Sequence, residues 1–202
     1  MRGSHFSDIM SRALLIVGDV GSGKTALTAR LLNEACSKAK LSEITLIEMA
    51  PERKDFNRIT VGGRLADFMA LPLGLKVLAP SKRLSAPRME GRTARDVVRL
   101  ASLNAQTIEK LFHMYSASPT PILFLNDVSM YLQTGDPMKL ITLIKSADTA
   151  VANSYEGHLL REDHGSGVSQ RELEGVTALK KAVDLTITLE IPSRNAHQQI
   201  TT

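Results

Sequence analysis

Tryptophan is absent from this 202-residue sequence, aromatic residues make up only 4% of it, and there is one cysteine. A single thiol, Cys36, excludes an internal disulfide, and its place in a helix-forming stretch marks it as a packed thiol. The scarcity of aromatic rings leaves little from which to build a base-stacking platform for single-stranded nucleic acid. No apolar run approaches the roughly 18 residues that a membrane-spanning helix requires. The N-terminus has no apolar region of the secretory kind, so a cytoplasmic protein is expected. His158 and His164 fall in a polar stretch without metal-ligand spacing to any cysteine. Zinc-site, Ser/His/Asp-triad and EF-hand patterns are missing too. What remains is ordinary for one globular domain, with 43% hydrophobic and 23% charged residues. The net charge of +4 permits an anionic partner without requiring one.

One segment stands out against that background. Gly18-Asp19-Val20-Gly21-Ser22-Gly23-Lys24-Thr25 matches G-x-x-x-x-G-K-S/T at every fixed position. It follows the apolar run Ala13-Leu14-Leu15-Ile16-Val17 and leads into Ala26-Leu27-Thr28-Ala29-Arg30-Leu31-Leu32, which has apolar residues at helical spacing. Strand, glycine loop and helix form the context in which such a loop holds phosphate. The glycines let backbone approach an anion, and the loop N–H groups and helix N-terminus face it. Residues 18–26, from Gly18 through Asp19, Val20, Gly21, Ser22, Gly23, Lys24 and Thr25 to Ala26, are the expected nucleotide-binding set. Lys24 is expected to reach the β- and γ-phosphates, and Thr25 to place its hydroxyl on Mg²⁺. The loop supplies no base, so nucleotide binding without hydrolysis stays open. A guanine-reading N/T-K-x-D is absent, which favours ATP over GTP.

Along the chain, strand and helix signals alternate. Further strands are predicted at 43–48, 75–79, 121–127, 149–153 and 184–191, and helices near 64–70, 93–115, 137–145 and 170–181. Asp136 followed by Pro137 is an N-cap and a first-turn proline. The segment 81–95 is rich in Arg, Lys, Ser and Pro and is expected to be a mobile surface loop. This pattern implies an α/β domain with a mainly parallel sheet and helices on both faces, its functional loops at the carboxyl ends of the strands. Residues 1–9 read as an appended leader or a disordered N-terminus, 10–195 as the single domain and 196–202 as a tail.

A second carboxylate joins the loop. Asp127 ends the apolar run Ile122-Leu123-Phe124-Leu125, which places it at a strand tip as the second Mg²⁺-side residue beside Thr25. An ordinary turn-capping Asp is the alternative. Val128 and Ser129 offer no glutamate beside it, and Asn126 is a neighbour without an assigned role.

With these elements in order, the chain resembles the RecA/KaiC-like branch of P-loop ATPases. The resemblance rests on the phosphate loop, on Ile44-Thr45-Leu46-Ile47-Glu48-Met49-Ala50-Pro51, and on the closing segment Gly175 to Ile187. It implies a RecA-like three-layer sandwich and nucleotide held between subunits, often in a hexamer. It also implies that Glu48 orients or activates the attacking water, although Met49 stands where the family often has a second glutamate. Lys180 or Lys181 could reach a neighbour's γ-phosphate or simply cover a solvated helix face. Asn153, at a strand tip, matches the position of a γ-phosphate sensor, with an Asx turn as the alternative. Archaeal flagellar-motor ATPase regulators also belong to this branch. Lys82, Arg83, Arg88, Arg92, Arg95 and Arg99 cluster in sequence and could bind nucleic-acid phosphates, supply an intersubunit arginine finger, or only solubilise the loop.

Three functions follow as expectations. The first is Mg²⁺-dependent ATP binding and hydrolysis, with Lys24 and Glu48 as catalytic residues, Thr25 and Asp127 on the metal, and Asn153 at the nucleotide. The second is a nucleotide-gated regulatory module with little turnover, acting on a protein partner or as a homo-oligomer. The third is a small-molecule or nucleotide kinase whose lid would be residues 81–95.

Overall fold

A computed structural model describes residues 5–56 and 59–191. Its frame is a six-stranded sheet built from β1 (Ala13–Gly18), β2 (Ile44–Glu48), β5 (Lys76–Leu78), β6 (Ile122–Asn126), β7 (Thr149–Tyr155) and β8 (Leu185–Leu189). The spatial order is β5-β2-β6-β7-β1-β8, and every neighbouring pair is parallel. Between β2 and β5 lies a small antiparallel hairpin, β3 (Lys54–Phe56) and β4 (Ile59–Val61).

Alternation along the strands decides which core each residue joins. Leu14 and Ile16 of β1, Ile44 and Leu46 of β2, and Ile122 and Phe124 of β6 face one side. There they pack against Ala29, Leu31, Leu32 and Ala35 of α1 (Lys24–Lys38). Leu15 and Val17, Ile47, Leu123 and Leu125 face the other side. That side is covered by α3 (Ala94–Ala117), α4 (Ser129–Leu132), α5 (Pro137–Lys145) and α6 (Val168–Ala182). Both faces of the central strands are therefore dry, which explains their unbroken apolar runs. The expected cap forms, with Asp136 accepting from the Met138 N–H at 2.9 Å, and the Thr93 hydroxyl caps α3 by accepting from the Asp96 N–H at 3.1 Å.

The structure differs from the sequence expectation in four places. Phe6 and Ile9 are buried, on a 3₁₀ turn (Phe6–Ile9) that packs on α1, so residues 6–9 are part of the fold rather than a leader. Phe6 also stacks on Phe124 with ring centroids 6.2 Å apart. Residues 1–4 and the expected tail at 196–202 lie outside the described residues. The segment 51–58, where no strand was predicted, contributes β3, and the helix expected near 64–70 is a single 3₁₀ turn (Leu65–Asp67). Finally, 81–95 is not a free loop. Leu84 is buried in it, it contains the short helix α2 (Pro87–Glu90), and Arg88 ties it to α6. Among the described residues, no helix is long and apolar enough to cross a membrane.

Candidate functional site

The site forms at the carboxyl edge of the sheet, where β1 runs into α1. Gly21 and Gly23 adopt φ of 77° and 91°, a left-handed conformation that glycine enters at little cost. Gly23 is the N-cap from which the chain enters α1. Lys24 folds across the loop, its Nζ donating to the Asp19 carbonyl at 2.7 Å. Burial lowers the Lys24 ammonium below its ordinary value, against the opposing pull of Asp127 and Asp19. Asp19 in turn anchors the loop to the chain after β7. Its Oδ2 accepts from the His158 N–H at 2.7 Å, and Gly157 lies so close to the carboxylate that a Cβ there would overlap it.

Asp127 stands immediately after β6, in a left-handed conformation with φ of 61°. A non-glycine residue held there costs about 1 kcal/mol or more, and such strain gathers at functional sites. The turn is pinned: its N–H donates to Asn153 Oδ1 at 2.9 Å, and the Val128 N–H donates to the Asn153 carbonyl at 2.9 Å. The Ser129 hydroxyl donates to the carboxylate. Burial pushes the Asp127 carboxyl upward, while Ser129, Lys24 and Arg88 pull it down. Val20, Gly21, Gly23, Lys24, Thr25, Ala26, Asp127 and Asn153 all line one cavity of about 280 Å³. Of the expected loop residues, Gly18, Asp19 and Ser22 do not line it.

The strand with the glycine loop and the strand ending at Asp127 are not neighbours, since β7 lies between them. This order, with a phosphate loop after β1 and a carboxylate after β6, decides the fold. It is a P-loop nucleoside triphosphatase fold of the RecA-like kind. No family model matches the chain, and no curated protein does. Among solved structures, it is similar to the flagellar accessory protein FlaH from Methanocaldococcus jannaschii, with 11% identity, 89% of this chain and 71% of that chain covered, and a TM-score of 0.49. It is also similar to the Pif1 helicase from Candida albicans, with 13% identity, 89% of this chain and 36% of that chain covered, and a TM-score of 0.37. The chain therefore spans about a third of that helicase. The fold assignment rests on the chain's own loop and strand order rather than on these likenesses.

The loop fits a phosphate-bearing ligand on its own geometry. Ser22 Oγ is buried in it without a hydrogen-bond partner, beside two left-handed glycines and a lysine. Among the described residues, no cluster of three His, Cys, Asp or Glu could hold a metal by itself. A metal between Thr25 and Asp127 would need phosphate oxygens to complete its shell, which suits Mg²⁺.

Glu48 and Asn153 depart from the roles expected of them. Glu48 ends β2 as expected, yet it does not line the cavity. Its carboxylate is 4% exposed and filled by three donors: the Ala50 N–H at 3.0 Å, the Leu65 N–H at 2.8 Å and Asn126 Nδ2 at 2.6 Å. Burial pushes it up to about 7 against those donors. The carboxylate is thus held by its three donors rather than open to the cavity in this structure. Asn153 is on the wall, but both amide hydrogens are committed, to Thr28 Oγ1 and Asn126 Oδ1 at 2.8 Å each. It is neither an Asx turn nor a free phosphate donor.

These residues instead form a buried polar hub. Thr28 donates to the Lys24 carbonyl at 2.9 Å, Asn153 to Thr28 and Asn126, and Asn126 to Glu48 and to the Gly63 carbonyl at 3.1 Å. The hub runs from α1 through β7 and β6 to β2 and holds the base of the site. Lys180, left open between a neighbour's γ-phosphate and a solvated helix face, pairs with Glu156 of its own chain at 2.6 Å. The basic run does not form a continuous patch either: Arg83 pairs with Glu90 at 2.6 Å, and Arg88 turns inward onto Glu172. The residues that sequence reasoning missed are Asn126, Gln133 and Glu172. A polar residue ending an apolar strand was the available sign for Asn126. Nothing local marked the other two.

Proposed function

We propose that the protein binds ATP with Mg²⁺ at the phosphate loop and hydrolyses it. The observation that carries this reading is the convergence of Lys24, Thr25 and the pinned Asp127 on a single cavity. The loop amides and Lys24 hold phosphates, and Lys24 neutralises charge toward the terminal phosphate. Thr25 and Asp127 hold Mg²⁺, which supplies polarisation of the phosphate oxygens. Glu48 acts through Asn126 and Asn153 as a positioning residue that fixes the Asp127 turn.

A second reading, a nucleotide-gated module with little turnover, is favoured by one specific feature. Among the described residues, Asp127 is the only carboxylate on the cavity wall, and no separate base among them lines it. The two readings part in one experiment: ATP binding and phosphate release with Mg²⁺ for the wild type and Lys24→Ala. Turnover that disappears in Lys24→Ala supports the ATPase. Tight binding without turnover supports the module. Binding that is equal in both proteins sinks the assignment of the loop.

A further inference from the structure

Besides Lys24, the cavity wall carries two arginines, Arg53, which is exposed, and Arg88, whose side chain is buried. Arg88, on α2, lines it together with Tyr155, Gln133 and Asp127. Its side chain is 8% exposed and is fixed from two sides. Nη1 and Nη2 donate to the two oxygens of Glu172 at 3.0 and 3.1 Å, a bidentate fork, and Nη1 also reaches Ser169 Oγ at 3.4 Å. The guanidinium carbon sits 5.2 Å from the centroid of the Tyr155 ring. Glu172 is itself held by Gln133, whose Nε2 donates to it at 3.0 Å, leaving the buried Gln133 Oε1 without a partner. A pair this enclosed is expensive to desolvate, and an apolar pair of similar volume would be at least as stable. Its position on the wall of the phosphate-loop cavity gives a reason to keep it.

These bonds use three of the five N–H donors of the guanidinium. Two remain for a further acceptor. Arg88 lines the same cavity as Lys24, Thr25 and Asp127. A terminal phosphate beside Asp127 would therefore meet a fixed fork of donors as well as Lys24. Because Glu172 and Tyr155 already hold that fork, little side-chain entropy is lost when an anion arrives.

We propose that Arg88 reads the terminal phosphate of a nucleoside triphosphate from within the same chain, with Glu172 and Tyr155 as its positioning residues. This rests on the nucleotide-binding reading above and adds what that reading lacks, a group that separates triphosphate from diphosphate. It also couples α2 and α6 to the state of the nucleotide, since Arg88 bridges the two helices.

The test is a pair of affinities, for ADP and for a non-hydrolysable ATP analogue, each with Mg²⁺. Arg88→Gln is expected to weaken the analogue by about 10- to 100-fold and ADP by less than about 3-fold, as for loss of a charge-assisted contact made only to the terminal phosphate. Arg88→Gln leaves Glu172 buried without its cation and could fail to fold. The double variant Arg88→Met/Glu172→Gln removes both charges and keeps an acceptor for Gln133, and it is expected to show the same selective loss. Equal weakening of both nucleotides, or no change in either, in the folded double variant overturns the proposal and leaves the nucleotide-binding reading intact. Failure of the wild type to bind either nucleotide overturns both.

Discussion

Replacing Glu48 by Gln keeps the shape of the side chain and removes its titration. The Glu48 carboxyl is pushed up from 4.5 to about 7, chiefly by burial. Between those values the folded chain keeps a proton that the unfolded chain has released. Stability from this group is thus fully present below about pH 4.5 and lost as pH rises through about 7. The whole gap corresponds to about 3 kcal/mol. Asp127 and Glu172 are also raised by burial and slope the same way, so only the difference between the two proteins isolates Glu48. The Gln variant carries a separate, pH-independent cost. Its NH₂ must face one of the three donors now pointing at the carboxylate, at about 1–3 kcal/mol. Urea unfolding followed by far-ultraviolet circular dichroism, from about pH 5 to about pH 8, reads both effects. Glu48→Gln should be the less stable protein at the acid end, with the gap narrowing by about 3 kcal/mol toward the alkaline end. Stability curves that stay parallel across this range would refute the account of Glu48 as a sealed, raised carboxyl.

Other consequences are open to direct measurement. Asp127→Asn should keep nucleotide binding within about 10-fold but abolish Mg²⁺-dependent phosphate release; unchanged Mg²⁺ dependence in a titration would remove Asp127 from the metal. Gly157→Ala places a methyl group against the Asp19 carboxylate and should cost about 1–3 kcal/mol in chemical denaturation while weakening nucleotide binding, because the anchor of the loop shifts. Phe6→Ala should lower stability by about 3 kcal/mol, since Phe6 is 1% exposed and stacks on Phe124. A loss below about 0.5 kcal/mol would return residues 6–9 to the status of a dispensable leader.

The phosphate loop was legible because its chemistry demands fixed residue types at fixed spacing within the eight residues from Gly18 to Thr25. Strands β1, β2 and β6 were legible for a related reason: burial on both faces leaves an apolar run with no polar alternation. Glu48 and Asp127 look alike in sequence, each an acidic residue near the end of such a run. Their environments separate them only in three dimensions, where three donors converge on Glu48 and the cavity opens beside Asp127. Arg88 and Glu172 stand 84 residues apart, so no local pattern could join them. The basic run around Arg88 suggested a solvated or phosphate-binding loop because its counter-ion lies on α6. Phe6 and Ile9 did carry a sign, an apolar pair three residues apart, but a polar opening segment masked it.

The polar hub beneath the cavity also bears on how the chain assembles. Sliding β6 by one residue against β2 and β7 would bring Leu125 to the place of Asn126. Glu48 would lose one donor and Asn153 one acceptor, both in a dry interior where each unpaired group costs about 1–3 kcal/mol. The hub therefore acts as a proofreader of strand pairing. Chains that zip up out of step are penalised at the spot where the phosphate loop and Asp127 must later meet. Correct assembly and a usable cavity are then selected by the same few hydrogen bonds.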